Sequence, residues 1–390
     1  MIVAGGSYLE ICLRPDWRRL FGSGLRAACA ISRLSPGTEL YTYCFGDWAD
    51  DIRHTAAAFG CLANVEPVDE AISFSYDHPL SAARLYPPII ARRPPLVVRG
   101  RTVLRFGFVE GEAVVEAERA VFDPQSHDPF EPFGANGSRA GCLALVLNET
   151  EAGAASPGFD AEVLMGEQGA AVLVVKRGPR GATVYEVGTD PIDIPAYRSE
   201  GVFKIGSGDV FSAAFALHWG ERGMDAAAAA DLASKSVAHF VDGHSLPLDE
   251  TLRHGEAMAC RLDDGPIYLA GPFFDLSQRW MVEEVYRTLT DFGARIFSPL
   301  HEVGTGLPVE AIAQADLAGL RGSSKMLALL DGADPGTVFE VGYARALDIP
   351  VVALAERLER ENLTMIAGSG CDVTHDLATA IYRVMWTKGR

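Results

Sequence analysis

The sequence predicts an α/β protein built from two domains. Short apolar runs that are typical of strands, such as Leu143–Leu147 and Val172–Val175, alternate with longer helical stretches such as Asp225–Val241. The same alternation resumes after Pro266. A length of 390 residues is also more than twice the usual size of about 150 residues per domain. Both halves of the chain are therefore expected to form layers of helix and strand.

The boundary between the two domains is expected near residue 264. The segment from Asp242 to Pro266 contains the turn-forming sequences Leu-Pro-Leu and Asp-Asp-Gly-Pro, with one helical stretch between them. We therefore assign residues 1–264 to the first domain and residues 265–390 to the second.

Composition and charge favour a protein that acts on small molecules. The net charge of −18 and the pI near 4.9 disfavour a nucleic-acid surface, which needs clustered basic residues. No run approaches the roughly 20 apolar residues that span a bilayer, and residues 1–6 do not resemble a signal peptide. Seven cysteines are scattered without CxxC pairs, as in a reduced compartment. We expect a cytoplasmic protein with no membrane or nucleic-acid partner.

The stretch that begins at Asp334 carries the most informative acid of the second half. Lys325–Leu330 reads as a short buried strand, and Val341–Leu347 has helical spacing that ends before Pro350. Glu340 is thus expected at a strand-to-helix junction, at the carboxyl end of a strand, where open α/β sheets bind ligands. From spacing alone, an acid that interacts with a helix dipole is an equally good interpretation.

Three further segments accompany the stretch around Glu340. They are Tyr268-Leu-Ala-Gly-Pro-Phe-Phe, Asp316-Leu-Ala-Gly-Leu and Asn362-Leu-Thr-Met. In this order, the four segments resemble the nucleoside 2-deoxyribosyltransferase family from about Pro266 to the C-terminus. The resemblance implies a smaller, flavodoxin-like or Rossmann-like domain with a doubly wound parallel sheet, and a reaction that needs no cofactor.

The resemblance also assigns catalytic roles. Glu340 would attack the C1′ atom of a nucleoside, Tyr268 would orient that nucleophile, and Asp316 would manage the proton of the departing base. Two residue-level alternatives stay open: Tyr268 as a core tyrosine at a strand end, and Asp316 as a helix N-cap.

Substrate-binding roles follow from the same match. Asp334 would contact the 5′ side of the sugar, and Gly271 and Phe273 would also bind substrate; the alternative for Asp334 is a turn residue in Asp-Pro-Gly. A carboxylate at the 5′ side would repel a phosphate, so nucleosides are expected over 5′-monophosphates. Asn362 and Met365 resemble the segment that completes a neighbouring subunit's site, which implies a homo-oligomer; a local helix start near Asn362 is the alternative.

In the first half, a glycine-rich turn precedes a helical stretch. In Gly206-Ser207-Gly208-Asp209, small residues allow backbone N–H groups to converge on an anion, and the acid could take a proton from a hydroxyl. Asn148-Glu-Thr-Glu151, a later Lys-Arg-Gly-Pro-Arg-Gly segment and an early Gly-Ser-Gly accompany this turn. Over about residues 1–260 these motifs resemble the ribokinase (PfkB) family.

That resemblance implies a kinase site. Asp209 would be the catalytic base, Gly206, Ser207 and Gly208 would form the anion hole, and Asn148 and Glu151 would organise Mg²⁺ through water. The cofactors would then be ATP and magnesium.

Three departures from the family pattern weaken the prediction of kinase activity. Phe203-Lys204-Ile205 stands where the family has Asp-Thr-Thr, and Glu10 stands where a sugar-binding aspartate is common. The half is also shorter than usual before Asn148, and a shortened lid would leave the site open to water.

Two functions are compatible with these motifs. The leading hypothesis is an enzyme that cleaves or exchanges the N-glycosidic bond of (deoxy)nucleosides through a Glu340 intermediate, fused to a kinase for a sugar or nucleoside. The alternative is an N-glycosidase effector gated by a catalytically inactive, kinase-fold nucleotide sensor.

Overall fold

The computed structural model describes residues 1–125, 130–250 and 257–390. Contacts divide the chain into two compact units, Met1–Ala259 and Cys260–Arg390. The sequence places the boundary a few residues later, near 264, within the Asp-Asp-Gly-Pro turn.

The first unit contains a large sheet and a small one. Among its described residues, nine strands form the large sheet in the order β13-β12-β11-β10-β9-β8-β1-β4-β5. Neighbouring strands are parallel from β5 to β11, and β12 and β13 complete one edge in antiparallel fashion. The strands are β1 Ile2–Ala4, β2 Leu9–Cys12, β3 Trp17–Leu20, β4 Glu39–Phe45, β5 Leu62–Val68, β6 Ser73–Tyr76, β7 Arg84–Tyr86, β8 Leu96–Phe106, β9 Ala113–Asp123, β10 Arg139–Asn148, β11 Val172–Lys176, β12 Ala182–Glu186 and β13 Ile192–Ile194.

The small sheet has the order β3-β2-β6-β7. Strand β2 pairs antiparallel with β3 and parallel with β6, and β7 closes the edge antiparallel to β6. Its strand β2 carries Glu10, the acid that the sequence associates with sugar binding.

Helices cover both faces of the large sheet. Alternate side chains of β10 show this directly, because Val146 joins one core cluster and Leu145 and Leu147 join the other. Helices α1, α5 and α6 pack on the Val146 side, and α3 and α4 on the opposite side. The helices are α1 Gly22–Ile31, α2 Ala49–Ala58, α3 Glu149–Ala155, α4 Ala161–Gln168, α5 Ser207–Phe215 and α6 Ala226–Gly243.

The second unit is a doubly wound α/β domain. Its five described strands are all parallel and lie in the order β15-β14-β16-β17-β18, the 2-1-3-4-5 order of flavodoxin-like sheets. The predicted fold class is thus confirmed. The elements are β14 Ile267–Ala270, α7 Leu276–Asp291, β15 Ile296–Phe297, α8 Val309–Gly322, β16 Lys325–Leu329, α9 Pro335–Ala346, β17 Val351–Leu354, α10 Thr364–Gly368, β18 Asp372–Thr374 and α11 Leu377–Trp386.

Helix α9 begins earlier than its spacing predicts, so the expected position of Glu340 at the strand-to-helix junction is wrong. Asp334 is the N-cap and its side chain accepts a hydrogen bond from the Thr337 N–H. Pro335 occupies the first helical position, where its fixed φ and missing N–H are tolerated. Glu340 therefore lies in the second turn of the helix, and Asp-Pro-Gly is a helix start rather than a free turn.

No helix in the described parts of the chain combines the length and apolar character needed to cross a membrane.

Candidate functional site

Tyr268 and Glu340 form the centre of the candidate site in the second unit. Tyr268 lies on β14, the strand at the switch point of the sheet, and its ring is fully buried. Its hydroxyl donates a hydrogen bond of 2.5 Å to Glu340 Oε1 on α9. Tyr268 is thus more than a core residue at a strand end, because its hydroxyl donates to Glu340, the acid that the sequence motif marks as the candidate nucleophile.

The environment of Glu340 weakens its acidity. Burial raises the pKa of Glu340 to about 7, the Tyr268 hydroxyl opposes that shift, and the carboxylates of Asp316 and Asp334 add to it. The pKa of Tyr268 is raised well above its ordinary value by burial and by the Glu340 charge. Tyr268 therefore stays protonated near neutral pH and can act as a donor to the Glu340 carboxylate.

Asp316 lies inside α8, in its third turn, so the alternative interpretation as a helix N-cap is wrong. Burial raises its pKa. Its Oδ1 atom is buried and has no hydrogen-bond partner among the described residues. An unsatisfied buried carboxyl oxygen is costly unless a ligand, a water or a transferred proton engages it, which makes Asp316 a candidate for contact with substrate.

Asp334 performs a structural task as the N-cap of α9. Its Oδ2 atom accepts bonds of 2.8 Å from the Thr337 N–H and 3.0 Å from the Thr337 hydroxyl. Because both bonds use Oδ2, the carboxylate is held in one orientation, and Oδ1 can accept a bond from a ligand. The proposed contact with the 5′ side of a sugar stays a prediction.

The loop after β14 carries the two other predicted substrate residues. Gly271 lies against Leu329, whose side chain would be 3.1 Å from a Cβ atom at that position, and the Phe273 ring lies 5.4 Å from that of Phe274. A cavity of about 390 Å³ opens beside this loop, at the carboxyl ends of the central strands. Neither Tyr268 nor Glu340 is among the described residues that line it, which are Pro272, Asp275, Ser277, Gln278, Trp280, Met281, Leu329, Leu330, Asp331, Gly332, Leu354, Glu356 and Arg357.

Asn362 and Met365 lie on the surface of this unit. Asn362 belongs to a short 3₁₀ helix at Arg360–Leu363, immediately before α10. Met365 exposes 80% of its area, so its side chain is not used in the unit's own core. The role of these residues at a neighbouring subunit's site stays a prediction.

The glycine turn of the first unit begins a helix, as its composition predicts. Both oxygens of its acid, Asp209, accept hydrogen bonds from other side chains. Gly206 is the N-cap of α5 and has φ +84°, a conformation that glycine adopts readily. Asp209 Oδ2 accepts a bond of 2.7 Å from Arg26 Nη1, and Oδ1 accepts one of 2.7 Å from Gln125 Nε2. Burial raises the pKa of Asp209, and the Arg26 charge opposes that shift.

Arg26 also pairs with Glu10 of the small sheet, so one guanidinium serves two carboxylates. Arg26, Glu10 and Asp209 expose only 2%, 5% and 7% of their areas. The expectation that a shortened lid leaves this site open to water is therefore wrong, because the small sheet contributes Glu10 to a closed ion-pair network.

A second buried network lies beside the same turn. Lys176 Nζ contacts Asp123 Oδ2 at 2.7 Å, and the Ser212 hydroxyl donates to the same oxygen at 2.6 Å. Burial alone would lower the pKa of Lys176, but the Asp123 and Glu151 carboxylates outweigh it and raise the pKa. A Cβ atom at Gly208 would lie 3.6 Å from the Lys176 ammonium, so this cation borders the predicted anion hole of Gly206, Ser207 and Gly208.

Asn148 and Glu151 form a reciprocal capping box at the start of α3. The Asn148 side chain accepts from the Glu151 N–H at 2.9 Å, and the Glu151 side chain accepts from the Asn148 N–H at 2.8 Å. Burial and the Asp123 charge raise the pKa of Glu151 to about 7. Within residues 1–125, 130–250 and 257–390, no group of three or more His, Cys, Asp or Glu side chains could hold a metal ion. The magnesium role of Asn148 and Glu151 stays a prediction.

Sequence reasoning missed Arg26, Gln125 and Lys176. Arg26 was the one with a usable signal, because it is a single charge in the otherwise small and apolar helix that follows Gly22-Ser-Gly. A charge in such a buried helix requires a buried partner.

Comparison with known proteins agrees with the motifs of the second unit. Residues 267–372 match the nucleoside 2-deoxyribosyltransferase family model. The stretch contains Tyr268, Asp316, Asp334, Glu340 and the Asn362 segment. No curated protein matches the chain.

Three of the solved structures similar to the chain are kinases, and each of these three matches covers 65% of this chain. The nucleoside kinase of Methanocaldococcus jannaschii, an archaeal member of the ribokinase family, is 14% identical with a TM-score of 0.47, and 97% of that chain is covered. The ribokinase of Thermotoga maritima is 17% identical with a TM-score of 0.44 and 97% coverage. The fructokinase of Vibrio cholerae is 13% identical with a TM-score of 0.47 and 98% coverage. The resemblance predicted for the second unit is confirmed by the family-model match.

The raised pKa of Glu340 predicts a pH-dependent stability difference. Between the ordinary value of 4.5 and about 7, the folded protein binds more protons at Glu340 than the unfolded chain does, so this residue reduces stability as pH rises. Glutamine cannot ionise. The unfolding free energy of Glu340→Gln, relative to wild type, should rise by on the order of 1–3 kcal/mol from about pH 4 to about pH 8. Urea titration measures this difference, and the exposed Glu310→Gln is the control. Parallel pH profiles for wild type and Glu340→Gln would contradict the burial argument.

Proposed function

We propose that the second unit cleaves or exchanges the N-glycosidic bond of nucleosides through a covalent intermediate on Glu340. The observation that carries this proposal is the 2.5 Å hydrogen bond between the Tyr268 hydroxyl and Glu340 Oε1, inside the stretch that matches the family model. A half-buried carboxylate with a neutral phenol donor is poorly solvated yet oriented, which suits a nucleophile.

In the first half of the reaction, ionised Glu340 attacks C1′ as the bond from C1′ to the base nitrogen breaks. The positive charge that develops on the sugar ring is close to the Glu340 carboxylate, which stabilises an oxocarbenium-like transition state. Asp316, whose pKa is raised, supplies a proton to the departing base. The products are a glycosyl ester on Glu340 and a neutral free base.

In the second half, a water or another base attacks C1′ and the ester bond to Glu340 breaks. Asp316, now ionised, takes the proton of the incoming nucleophile, and Glu340 leaves as the carboxylate that the Tyr268 hydroxyl stabilises. Two substitutions at the same carbon preserve its configuration. Water yields hydrolysis, and a base yields deoxyribosyl transfer.

For the first unit, the ion pair between Arg26 and Asp209 favours the inactive alternative over the kinase. A general base needs a carboxylate oxygen within reach of the substrate hydroxyl, and both oxygens of Asp209 already accept hydrogen bonds within the protein. The second candidate function is therefore an N-glycosidase attached to a catalytically inactive kinase fold.

Base release tests the function of Glu340. With a panel of ribonucleosides and deoxynucleosides, with and without an acceptor base, we expect chromatography to show free or exchanged base. Glu340→Gln should lower kcat/KM by about 10³-fold or more, because the covalent route is lost. Glu310→Gln, which changes an exposed acid on α8, is the matched control and should retain wild-type activity. Full activity in Glu340→Gln would exclude the proposed nucleophile.

The hydrogen bond from Tyr268 predicts the pH profile. Its loss in Tyr268→Phe removes the interaction that lowers the pKa of Glu340, so that pKa should rise further above about 7. Since Glu340 must be ionised to attack, the acidic limb of kcat/KM should move to higher pH by roughly one unit. A pH–rate series on the best substrate measures the limb, and an unchanged limb would show that the phenol does not tune this acid.

The charge of Asp334 predicts discrimination against 5′-monophosphates. We expect kcat/KM for a monophosphate to be at least about tenfold below that for the nucleoside with the same base. Asp334→Asn should reduce that ratio, and asparagine is an equally good N-cap, so α9 should stay intact. A wild-type preference for the monophosphate would refute the assignment of Asp334 to the 5′ side without bearing on Glu340.

A further inference from the structure

We propose that Arg26 is an internal occupant of the candidate site in the first unit, where it holds the small sheet closed over the glycine turn. The consequence is that this unit carries out no phosphoryl transfer in the wild-type protein. This proposal concerns residues 1–259 alone and does not depend on the function proposed for Glu340.

Arg26 connects three parts of the first unit. It lies on α1, its Nη1 atom contacts Asp209 Oδ2 on α5 at 2.7 Å, and its Nη2 atom contacts Glu10 on β2 of the small sheet. Nη1 also donates to the Gly22 carbonyl at 3.4 Å. The guanidinium is thus held on several sides while it exposes only 2% of its area. Breaking one of these buried pairs would leave an uncompensated carboxylate, which is strongly unfavourable.

The Arg26 guanidinium also packs against the glycine turn at Gly206. A Cβ atom at Gly206 would lie 2.2 Å from Arg26 Nε and 2.4 Å from its Cζ. Arg26 is therefore packed against the first residue of the predicted anion hole. The substrate hydroxyl of a kinase would likewise have to displace Arg26 and Gln125 from Asp209 before that acid could accept its proton.

Apolar contacts add to the ion pairs in closing the small sheet. Cys12 of β2 is buried with Phe203 and Ile205 in one cluster, and Trp17 and Tyr76 of the same sheet pack against it. The Trp17 and Phe203 rings are 5.0 Å apart. Phe203 and Ile205 are the residues that replace polar ones in the family pattern, so the substitution supplies the surface on which the small sheet rests.

Chemical rescue tests whether Arg26 is the occupant. In Arg26→Ala, amides of Leu9–Cys12 and Ser73–Tyr76 should exchange hydrogen about tenfold faster or more, because the small sheet loses its ionic contact with α5. Millimolar methylguanidinium should bind between Glu10 and Asp209 and restore slow exchange, whereas equal methylammonium or sodium chloride should not. Arg53→Ala, which removes an exposed pair with Asp50, is the matched control and should exchange like wild type.

A second variant keeps the test decisive if Arg26→Ala does not fold. Arg26→Met combined with Glu10→Gln and Asp209→Asn leaves no buried charge in the network, so it should fold, exchange faster in the small sheet and show no response to methylguanidinium. Exchange at the wild-type rate in that triple variant would overturn the proposal. So would wild-type phosphorylation of any pentose, hexose or nucleoside by magnesium-ATP that Asp209→Asn abolishes; we expect none.

Discussion

The hydrogen bond from the Tyr268 hydroxyl to Glu340 is the interaction on which the candidate active site depends. It ties the strand at the sheet's switch point to the second turn of α9, and it determines which oxygen of Glu340 is held and which remains for a substrate. Asp334 supports the same geometry from the helix start, since its cap bonds to Thr337 fix where α9 begins. The carboxylate is therefore oriented by a strand that ends, and a helix that begins, at the same edge of the sheet.

The first unit satisfies its buried carboxylates differently. Burial and the neighbouring acids Asp316 and Asp334 raise the pKa of Glu340, and its hydrogen-bond partner among the described residues is a neutral donor, the Tyr268 hydroxyl, which opposes that shift. Asp209 is paired with the positive charge of Arg26, which neutralises the carboxylate and contacts its Oδ2 atom. The same chain thus contains one acid with a neutral donor and one buried acid that is paired with a cation. A favourable ion pair and a competent general base are alternative uses of the same carboxylate.

The sequence predicts the contacts of one candidate site better than those of the other, for a physical reason. The contact between Tyr268 and Glu340 could be anticipated, because the family resemblance implies that the tyrosine orients the nucleophile. The helical spacing predicts a later start for α9 than the structure has, because Asp-Pro-Gly is compatible with a turn and with a helix start. Arg26 and Asp209 are 183 residues apart in the chain, and no local sequence pattern around either residue predicts that they are in contact.

By itself, the sequence determined the α/β class, the alternation that separates the two halves, and the acids and aromatic residues that can carry chemistry. Hydrophobic periodicity and turn-forming residues act over a few positions, so they can be recognised from the sequence alone. Only the tertiary structure decided which acids are available, because availability depends on burial and on partners that are distant in the chain. Packing brought a phenol to Glu340 and a guanidinium to Asp209, so one carboxylate has a neutral donor and the other is paired with a positive charge.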